Sequence, residues 1–525
     1  MSFVNFLYDI QHFNPVTNAL ETLRVSTKGF ITTSLDTPAS TPYLKRIKAN
    51  SAGDFSTFMF DRGATYGKAS VGTGEIILVN ADRKYDDLRE HDFRRIIIRR
   101  VFDTRGSLND EDIIATFDID SVSFTWTELR INIRDRLSTL DTQMQTATFA
   151  GNNADSFAIE GDESLEGRVK PVLIGAAGWS EPPLGNTASL LCIVNHDANG
   201  NPAPIGSIDG VKDNGVDIAF DKDYATLNAL ISDQQAGQIP SGRYATCLAE
   251  GAFAMNNLVS DGTITCLASE EASQANMSAA QAVVSAVTRF SDSVVSDFVG
   301  ISDTDAINDS VVGIYVDNEI TLFDVTQDLV ASIGGYLVPT SLGKLKLGVL
   351  QDPASNAPSA TFKKDVIIRK QRGGLERITF SDESDGFPVN KVVVEYKKYS
   401  KTLTESEVAG VVTTEERQDL KREFRKVTED DPSVLNTYKN SKSITLKTLL
   451  RERSQAVIFA NEQLVLRNVW RDQWELPVVE DTNLDLADVI EVKLDAFDML
   501  NGKKFVILGK TFNLNRNITT YSIYG

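Results

Sequence analysis

The sequence predicts a mainly β protein of the α+β class, in which a few helices and a small inserted β domain separate two β-rich end regions. Apolar runs of strand length and alternating apolar–polar runs dominate both ends, whereas helical periodicity is confined to a few segments. The similar β character near residues 45–140 and 470–525 suggests two related β barrels in one chain. The length of 525 residues corresponds to about three or four domains.

Residues 1–150 are predicted to form the first β domain. Residues 75–79 contain a continuous apolar run typical of a buried strand, and residues 93–100 are apolar at their centre with arginines on both sides. Residues 117–120 and 129–133 alternate between apolar and polar side chains. This alternation predicts strands with one solvated face.

Residues 151–270 are predicted to form a small β domain inserted into the parent fold. Their first part, residues 151–167, has the Gly-, Asp-, Glu- and Asn-rich composition of a solvated connection. Short strands separated by turns rich in Asp, Asn and Gly are expected over residues 168–268.

Residues 271–360 are predicted to form a connecting domain of helices and strands. The spacing of apolar side chains in residues 272–299 predicts one long helix, which Gly300 ends. Thr321 and Asp324 have the spacing of a capping box, which begins a second helix. This second helix and a following strand pair are expected at residues 321–333, 336–338 and 344–349.

Residues 361–445 are predicted to be a β-rich segment with charged loops, and residues 446–525 a helix followed by the second barrel. Residues 399–440 are highly charged and poorly periodic, which predicts long exposed loops or a protruding hairpin. An amphipathic helix of about five turns is expected around residues 449–464. Asn501 and Gly502 predict a tight hairpin turn. The final strands are expected at residues 474–478, 489–494, 504–508 and 519–524.

The charge balance limits the kinds of partner. The chain has 73 acidic and 53 basic side chains, a formal net charge of −20. Long-range repulsion opposes each encounter with DNA, RNA or an anionic membrane, which argues against a protein whose main task is to grip them. Passage of DNA without adhesion is compatible with this charge. With 42% apolar and 24% charged residues, wholesale disorder is excluded.

The targeting and thiol patterns are typical of a protein that folds in a reducing cytoplasm. No stretch approaches the roughly 18 apolar residues that span a bilayer. Asp9 lies where a signal peptide needs apolar residues. Cys192, Cys247 and Cys266 are odd in number and far apart, so buried free thiols are expected rather than a disulfide or metal set.

The histidines and glycine-rich segments offer no catalytic pattern. His12, His91 and His196 have no metal-ligand spacing, and no HExxH or Gly-x-Ser-x-Gly motif occurs. Residues 63–69 superficially resemble a phosphate loop, but only three residues separate the glycines and the last residue supplies no hydroxyl. Residues 72–74 lack the third glycine of a dinucleotide site.

Two acidic segments are interpreted as ordinary turns and loops. Asp197, Asn199 and Asn201 have the spacing of a calcium loop, but Pro202 replaces its glycine and Ile208 its bidentate glutamate. A glycosidase acid–base pair needs two carboxylates at a fixed separation, and nothing fixes one among Glu160, Asp162, Glu163 and Glu166. No catalytic, cofactor-binding or metal-binding residue is therefore predicted, and no enzyme activity is expected.

One basic patch stands out on the acidic chain, formed by Arg89, Arg94, Arg95, Arg99 and Arg100. Nucleic-acid binding would need interleaved stacking aromatics, of which only Phe93 and Phe102 are present. Ion pairing is favoured, either within the fold or across a subunit boundary.

Several segments resemble the tail-tip hub proteins of long-tailed, siphovirus-type phages and of the related gene transfer agents. Similar to the first hub barrel are YDDLRE at residues 85–90, IIIR at 96–99 and INIRDRLSTLD at 131–141. Similar to the inserted hub domain are EGD at 160–162, LEGRVKPVLIG at 165–175, VKDNGV at 211–216, DYA at 223–225 and GRYATC at 242–247. GGY at 334–336, LG at 347–348 and VNKVVV at 389–394 also fit, as do the second-barrel motifs WELP at 474–477 and DVI at 488–490.

The resemblance covers most of the chain, through loose and mainly structural motifs. One departure is LAD at residues 486–488, where a Pro-Gly-Asp turn is expected. Another is the lack of the four-cysteine iron–sulfur set of some hubs, so no cofactor is expected.

The resemblance implies a structural baseplate hub, a homotrimer whose two tail-tube-like barrels per chain form a six-fold-like ring. The ring would join the distal tail protein to the central fibre or tip protein, surround the end of the tape measure protein and let DNA pass during ejection. The implied location is the virion tail tip, after assembly in the host bacterial cytoplasm and without stable membrane insertion. An acidic channel would repel the phosphates of the passing DNA.

Two alternative functions stay open. The first is another tail component, either a hexameric distal tail protein or a receptor-binding tip. The second is a tail-associated cell-wall hydrolase that uses Glu160, Asp162 or their neighbours.

Overall fold

Strands dominate the computed structural model, which describes residues 4–102, 108–109, 112–153, 157–256, 262–368, 375–479 and 484–525. The prediction of a mainly β, α+β fold is confirmed. The N-terminal strands are β1 (Val4–Asn14), β2 (Ala19–Ser26), β3 (Phe30–Ile31), β4 (Pro42–Lys45), β5 (Asp54–Phe58), β6 (Thr73–Val79), β7 (Asp92–Phe102), β8 (Ile113–Phe124) and β9 (Glu128–Arg134).

These strands form a barrel. Pairing runs in the order β6, β9, β8, β7, β1, β2 and β4. The chain beyond β4 then returns to β6, because the Val79 amide donates to the Arg46 carbonyl at 2.7 Å and the Lys48 amide to the Ile77 carbonyl at 2.9 Å. This return closes the ring of strands around an apolar core, whereas β3 pairs with β4 outside the ring. Core members include Tyr8, Ile10, Leu78, Ile96, Ile98 and Ile131.

Side-chain alternation explains the predicted arginine-flanked strand, which is β7. Ile96 and Ile98 point into the barrel and are fully buried. Arg95 and Arg99 have the opposite parity and lie on the other face, since successive strand residues alternate. A strand with a core of isoleucines and a charged outer face therefore needs no nucleic acid to account for its arginines.

The middle of the chain folds as a separate sheet, as predicted, but it contains a helix that the sequence analysis missed. The sheet order is β11-β12-β16-β15-β14-β13-β17. The missed helix begins after Thr226, whose hydroxyl accepts from the Ala229 amide at 3.3 Å, and it buries Leu230 and Ile231. The elements are β10 (Val172–Gly175), β11 (Leu184–Asn186), β12 (Leu191–Ile193), β13 (Ser207–Asp213), β14 (Val216–Asp223), α1 (Leu227–Gln235), β15 (Arg243–Cys247), β16 (Ala252–Met255) and β17 (Ile264–Ser269).

The connecting region packs helices against short strands. Its elements are α2 (Ala279–Phe290), β18 (Phe298–Val299), α3 (Ile301–Ile307), β19 (Gly313–Val316), α4 (Leu322–Ala331), β20 (Gly335–Pro339) and β21 (Leu345–Val349). The predicted start of the second helix at Thr321 is confirmed, because the Thr321 hydroxyl accepts from the Asp324 amide at 3.0 Å. The Asp324 carboxylate accepts from the same hydroxyl at 3.0 Å, so this is an N-cap and not a full capping box. The predicted strand pair is also confirmed as β20 and β21.

The prediction of one long helix over residues 272–299 is wrong. α2 covers only its centre, and its C-cap residue Ser291 is already extended, with φ −144° and ψ 175°. Val294 is exposed, and Phe298 belongs to β18. Gly300 does not end this helix but precedes α3, with φ +84°. The apolar spacing continued past the polar residues that break the helix.

The C-terminal elements are β22 (Ala360–Lys363), β23 (Glu376–Arg377), β24 (Val389–Tyr396), α5 (Thr414–Leu420), β25 (Arg425–Asp430), α6 (Val434–Thr437), β26 (Lys442–Lys447), α7 (Arg453–Arg467), β27 (Gln473–Val478), β28 (Val489–Lys493), β29 (Lys503–Asn513) and β30 (Ile518–Tyr524). α7 is shorter than the predicted five turns and begins later, because Leu450 lies before it in a β-bridge to Val312. The strands predicted at the end of the chain are confirmed.

A second barrel is built from β22, β27, β28, β29 and β30. β28, β29, β30 and β27 are consecutive neighbours, and β22 pairs in parallel with β28. The chain after β22 closes the ring, because the Ile368 amide donates to the Pro477 carbonyl at 2.9 Å and the Val479 amide to the Val366 carbonyl at 3.1 Å. Tyr521, Phe505 and Ile523 are members of its core.

The predicted hairpin between β28 and β29 exists, but its turn is longer than the sequence indicated. Positive φ angles fall at Phe497, Asp498 and Gly502 rather than at Asn501 and Gly502. A two-residue turn of the predicted kind needs positive φ at both central positions.

The prediction that residues 399–440 are long exposed loops or a protruding hairpin is wrong. β25 pairs with β24, which also pairs with β26, in a three-stranded sheet. Leu403, Val408 and Leu420 form a buried cluster with Trp179 of the inserted sheet region. A few apolar residues spaced between many charges are enough to fold this segment onto its neighbour.

Replacing Leu420 by alanine is expected to loosen this segment. The lost burial and the cavity left behind should cost about 2–4 kcal/mol locally. Hydrogen exchange should show reduced protection in residues 399–422 while the barrel strands keep theirs. Val411→Ala is the matched control, because Val411 is exposed, and equal effects of the two variants would contradict the packing described.

Candidate functional site

The two barrels are joined by strand pairing at β29. Residues 503–506 of β29 pair with β28 inside the second barrel, whereas residues 509–513 pair antiparallel with residues 54–58 of β5. The Met59 amide extends this ladder by donating to the Leu508 carbonyl at 2.7 Å. We call β5, residues 509–513 and the side chains packed around them the barrel junction.

Aromatic rings fill the side of the junction that faces the first barrel. Phe55 lies between Phe117 and Phe512, with ring centroids 4.6 and 4.7 Å away. Gly509 is required where β29 meets β5, since a Cβ atom there would lie 2.3 Å from the ring of Phe58. The junction therefore combines a main-chain ladder with close side-chain packing.

Ionisable groups are also buried at the junction, around a cavity of about 30 Å³. Lys510 is 4% exposed, and its ammonium lies 3.6 Å from the Asp485 carboxylate. Asp135 is 1% exposed and accepts hydrogen bonds from the Gly72 amide at 2.6 Å and the Leu137 amide at 3.0 Å. A cavity of this size has room for about one water molecule.

Burial shifts the proton affinity of these groups. It raises the pKa of the Asp135 carboxyl group to about 7, and the nearby Asp118 adds to the shift, although the amides of Gly72 and Leu137 oppose it. Burial also lowers the pKa of the Lys510 ammonium group. The junction therefore contains a carboxyl group and an ammonium group whose pKa values burial shifts in the direction of the neutral form.

The loop between β20 and β21 touches both barrels. The Thr116 hydroxyl of the first barrel donates to the Ser341 carbonyl at 2.8 Å, and the Ser341 amide donates to the Asp485 carboxylate at 3.1 Å. Gly343, with φ +76°, lies so close to Thr116 that a Cβ atom would be 2.8 Å from its methyl group. The connecting region thus holds the junction from a third side.

The turn at residues 486–488, where a Pro-Gly-Asp sequence was expected, has an unusual backbone conformation. Ala487, which stands in the glycine position, has φ +70°. Its amide donates to the Ile507 carbonyl at 2.9 Å, so the turn is fixed to β29 despite this conformation. An L-residue with a side chain pays a conformational penalty there that glycine avoids.

The three histidines lie in two places. The Nδ1 atoms of His12 and His91 are 2.9 Å apart, so one of the two rings carries the proton of a hydrogen bond. Burial and the neighbouring His91 lower the pKa of His12. His196 is separate; it donates through Nδ1 to the Pro171 carbonyl at 3.0 Å, and burial lowers its pKa to about 4.

The three cysteines have ordinary structural roles. Cys192, Cys247 and Cys266 are buried free thiols, as predicted. Burial raises the pKa of Cys247 to about 11 and that of Cys266 to about 12, which disfavours the reactive thiolate.

The glycine-rich segment and the calcium-like loop use their polar groups within the fold. Lys68 forms ion pairs with Asp324 at 2.7 Å and Asp328 at 3.2 Å. One carboxylate oxygen of Asp197 accepts from the amides of Asn199 and Asn201. Both segments are turns, as the sequence predicted.

The loop carboxylates are not arranged as an acid–base pair. Glu160 is ion-paired with Lys170 at 2.8 Å; burial opposes the shift, but the hydrogen bond from Lys170 lowers the pKa of Glu160. Asp162 accepts from the Ser164 amide at 3.0 Å and begins a short 3₁₀ turn. Glu163 and Glu166 are exposed.

The arginine patch is ion-paired within the fold. Arg94 contacts Asp92 at 2.9 Å and Arg95 contacts Asp118 at 3.3 Å. Arg99 pairs with Asp9 of the adjacent strand, and Arg89 with Glu90 at 3.4 Å. Arg100 is buried, unlike the rest of the patch.

Two general searches complete the description. Within the described ranges, no group of three or more His, Cys, Asp or Glu side chains could hold a metal ion. No helix among the described residues is both long and apolar enough to cross a membrane.

The functional residues that sequence reasoning missed are Asp135, Lys510 and the His12–His91 pair. Asp135 ends a stretch with clean strand alternation, and its position before a buried 3₁₀ turn was the available signal. Lys510 lies in a strand whose length was underestimated. The two histidines are 79 residues apart, and only the β1–β7 register brings them together.

Neither a family model nor a curated protein matches the chain. Among solved structures, a tail protein from Neisseria meningitidis is 11% identical with a TM-score of 0.37, covering 98% of this chain and 96% of that chain. The 43 kDa tail protein of prophage MuSo2 from Shewanella oneidensis is 9% identical with a TM-score of 0.36, covering 99% and 98%. A prophage tail protein from Listeria monocytogenes is 8% identical with a TM-score of 0.36, covering 98% and 94%.

Asp135 is expected to give the fold a measurable pH dependence. Its folded pKa of about 7 lies above its ordinary value of 3.8. The folded state holds the proton of Asp135 more tightly than the unfolded state does. The stability of the fold is therefore highest below about pH 4, and this contribution is lost as the pH rises through about 7. Asp135→Asn should remove this loss, which denaturant unfolding between pH 4 and 8 would measure. The exposed Asp87→Asn is the control, and an unchanged slope in Asp135→Asn would contradict the burial of a carboxylate at the junction.

Replacing Ala487 by glycine is expected to stabilise the second barrel by about 1 kcal/mol, because the left-handed conformation suits glycine. Thermal or denaturant unfolding measures the change. The exposed helical Ala306→Gly should instead cost about 1 kcal/mol. A loss of stability in Ala487→Gly comparable to that of the control would be inconsistent with the φ angle at this turn.

Proposed function

We propose that this protein is a structural component of a phage tail, and specifically the baseplate hub. In this proposal three copies form a ring of six barrels that continues the tail tube. The observation that carries the proposal is the presence of two closed barrels in one chain, joined through the β5–β29 ladder. The sequence motifs that resemble tail-tip hubs lie in both barrels and in the region between them.

The barrel junction suits a ring component because it fixes one barrel relative to the other. Main-chain hydrogen bonds, the Phe55 stack and the β20–β21 loop all restrict movement at the joint. A trimer with two fixed barrels per chain presents six barrels, which is the number needed to continue a six-fold tube from a three-fold particle. Isolated barrels on flexible linkers would not hold such a ring.

Exposed apolar side chains occur at both ends of the first barrel. Strand direction places Val16 and Trp126 at one end, in the β1–β2 and β8–β9 turns, and Ile31 and Leu35 at the opposite end. Isolated exposed apolar residues are common on soluble proteins, but their grouping at strand-turn ends favours contacts with neighbouring subunits. We propose that these ends contact the distal tail protein on one side and the central fibre or tip protein on the other.

The proposed role of the channel in DNA passage depends on where the charged side chains lie. The outer face of the first barrel carries paired charges, including Arg134 with Asp120 at 3.0 Å and Arg130 with Glu128 at 2.9 Å. Residues 1–150 have 20 acidic and 18 basic side chains, so most of the net charge of −20 arises outside this region. We propose that excess carboxylates line the channel, where they surround the tape measure protein and repel the passing DNA.

The remaining parts of the chain take supporting roles in this proposal. Residues 1–150 form the first hub barrel and 151–270 an inserted domain. Residues 271–360 connect these to residues 361–445 and to the helix and second barrel of residues 446–525. No catalytic step is proposed for any of them, and the hub acts at the virion tail tip.

The proposal predicts a stable trimer. Three chains of 57.6 kDa give about 173 kDa, which light scattering or native mass spectrometry would measure. Ile31, 69% exposed at one end of the first barrel, belongs to the proposed contact with the distal tail protein or the tip protein, so Ile31→Asp should leave the trimer intact and weaken that contact. Val411→Asp is the matched control, because it adds the same charge at an exposed valine outside the barrels.

A monomer at assembly-like concentration would argue against the hub, and a six-fold ring would favour a distal tail protein. Electron microscopy of virions with this chain labelled gives an independent test. Label at the tail tip supports the hub, and label along the tube or outside the tail contradicts it.

A further inference from the structure

A groove between α3, β21 and α7 remains outside the barrel contacts described above. It consists of two adjoining cavities of about 320 and 440 Å³, which share Ile307, Val349 and Leu350 in their linings. The first cavity extends towards the second barrel at Val489, and the second extends along α7 to Val465. We call this continuous feature the α3–α7 groove.

Apolar side chains on the outer face of α7 continue the groove. Ile458 and Val465 are exposed, and their spacing of seven residues places them on one stripe of α7, whereas the exposed Val469 lies just beyond the C-cap residue Asn468. The opposite face of α7 packs on β24 and β25 and is buried through Phe459, Ala460 and related residues. The two side chains are about 10 Å apart along the helix axis, or two turns, at the helical rise of roughly 1.5 Å per residue. The stripe is an unpartnered helix face.

Within the part of the chain that the structure describes, the groove contains two paired and two unpaired carboxylates. Lys346 is paired with Asp488 at 3.5 Å, and Asp352 with Arg471 at 2.8 Å. Asp303 and Glu462, one in each cavity lining, have no ion pair or hydrogen bond among the described residues.

Of these two carboxylates, Glu462 is the better placed to pair with a positive charge of a partner. Much of its side chain reaches solvent, yet desolvation by the groove wall raises the pKa of its carboxyl group. A partner that supplied a positive charge would stabilise the ionised form in this partly desolvated position.

We propose that the α3–α7 groove binds an amphipathic helix of a different protein, one that carries, beside its apolar face, a lysine or arginine that pairs with Glu462. The apolar stripe matches the i, i+3, i+4, i+7 anchors of such a helix. The carboxylates of Glu462 and Asp303 select a cationic partner by charge complementarity. This surface is distinct from the barrel ends, which are proposed to contact the distal tail protein and the central fibre or tip protein.

A second copy of this chain is a poor occupant. A symmetric contact through the same face brings each groove against its own copy. Glu462 and Asp303 would then approach like charges, which is unfavourable in a partly desolvated contact. In a three-fold contact the groove would instead meet a different surface of a neighbouring copy, but this chain has a net charge of −20 and is a poor source of a cationic helix. The occupant is therefore assigned to another protein.

The test uses the full-length protein and a fluorescein-labelled 18-residue peptide of leucine and lysine arranged as an amphipathic helix. Fluorescence anisotropy at 150 mM salt measures its affinity for the wild type and the variants. Glu462→Gln should weaken binding about tenfold, and Val465→Asp should weaken it further. Glu415→Gln and Val411→Asp are matched controls, because they make the same changes at exposed positions that do not line the groove. Both should leave the affinity unchanged.

A charge exchange sharpens the test. Glu462→Lys should lose the lysine peptide and gain binding of a peptide in which glutamate replaces lysine. Photocrosslinking from the peptide should label residues 461–466.

Each other outcome overturns the proposal. Equal weakening by Glu462→Gln and Glu415→Gln would mean non-specific attraction to an acidic protein. No binding of the lysine peptide, or crosslinking elsewhere, would exclude the groove. Concentration-dependent self-association that Val465→Asp abolishes would assign the groove to a second copy instead.

Discussion

The main-chain ladder between β5 and β29 is the contact on which the rest of the architecture depends. β5 has little support from its own barrel, because it pairs with β6 only at Phe55 and Gly74. Its partner residues 509–513 belong to a strand that begins inside the second barrel. The phenylalanine stack, the buried Lys510 with its partly exposed partner Asp485, and the β20–β21 loop are all arranged around this ladder. Removing the ladder would leave buried charges and aromatic rings facing water.

Burial of ionisable groups at this joint has two opposing effects. A lysine and a carboxylate taken out of water lose hydration, and their attraction offsets this loss only while the geometry is kept. The same requirement makes the joint intolerant of small displacements. The barrels are therefore held in one arrangement by polar groups as well as by apolar packing, which is consistent with a part that must keep its shape inside a larger assembly.

Local pattern predicted much of the fold. Alternation and apolar runs predicted the strands β6, β7, β8 and β9. The sequence also predicted the helix start at Thr321 and the terminal strands. The errors have physical causes: polar residues stopped α2 although apolar spacing continued, and a few buried residues such as Leu420 folded a segment whose charge suggested exposure. The junction could not be predicted in detail, because Asp135, Asp485 and Lys510 meet only through strand pairing between distant parts of the chain. The turn at Ala487 is the exception, since its positive φ angle lies at the position where the sequence departs from the expected Pro-Gly-Asp motif.

The junction also sets the order of events when the chain is made. The Ala52 amide of the first barrel bonds to Asn515, 463 residues later. At roughly 5–20 residues per second, the ribosome needs roughly 20–90 s to supply that partner. During this interval β5 is an open strand edge, of the kind that pairs with other chains when left uncovered. Synthesis of β29 is thus the step that protects the first barrel, and a product truncated before β29 would keep an exposed strand edge.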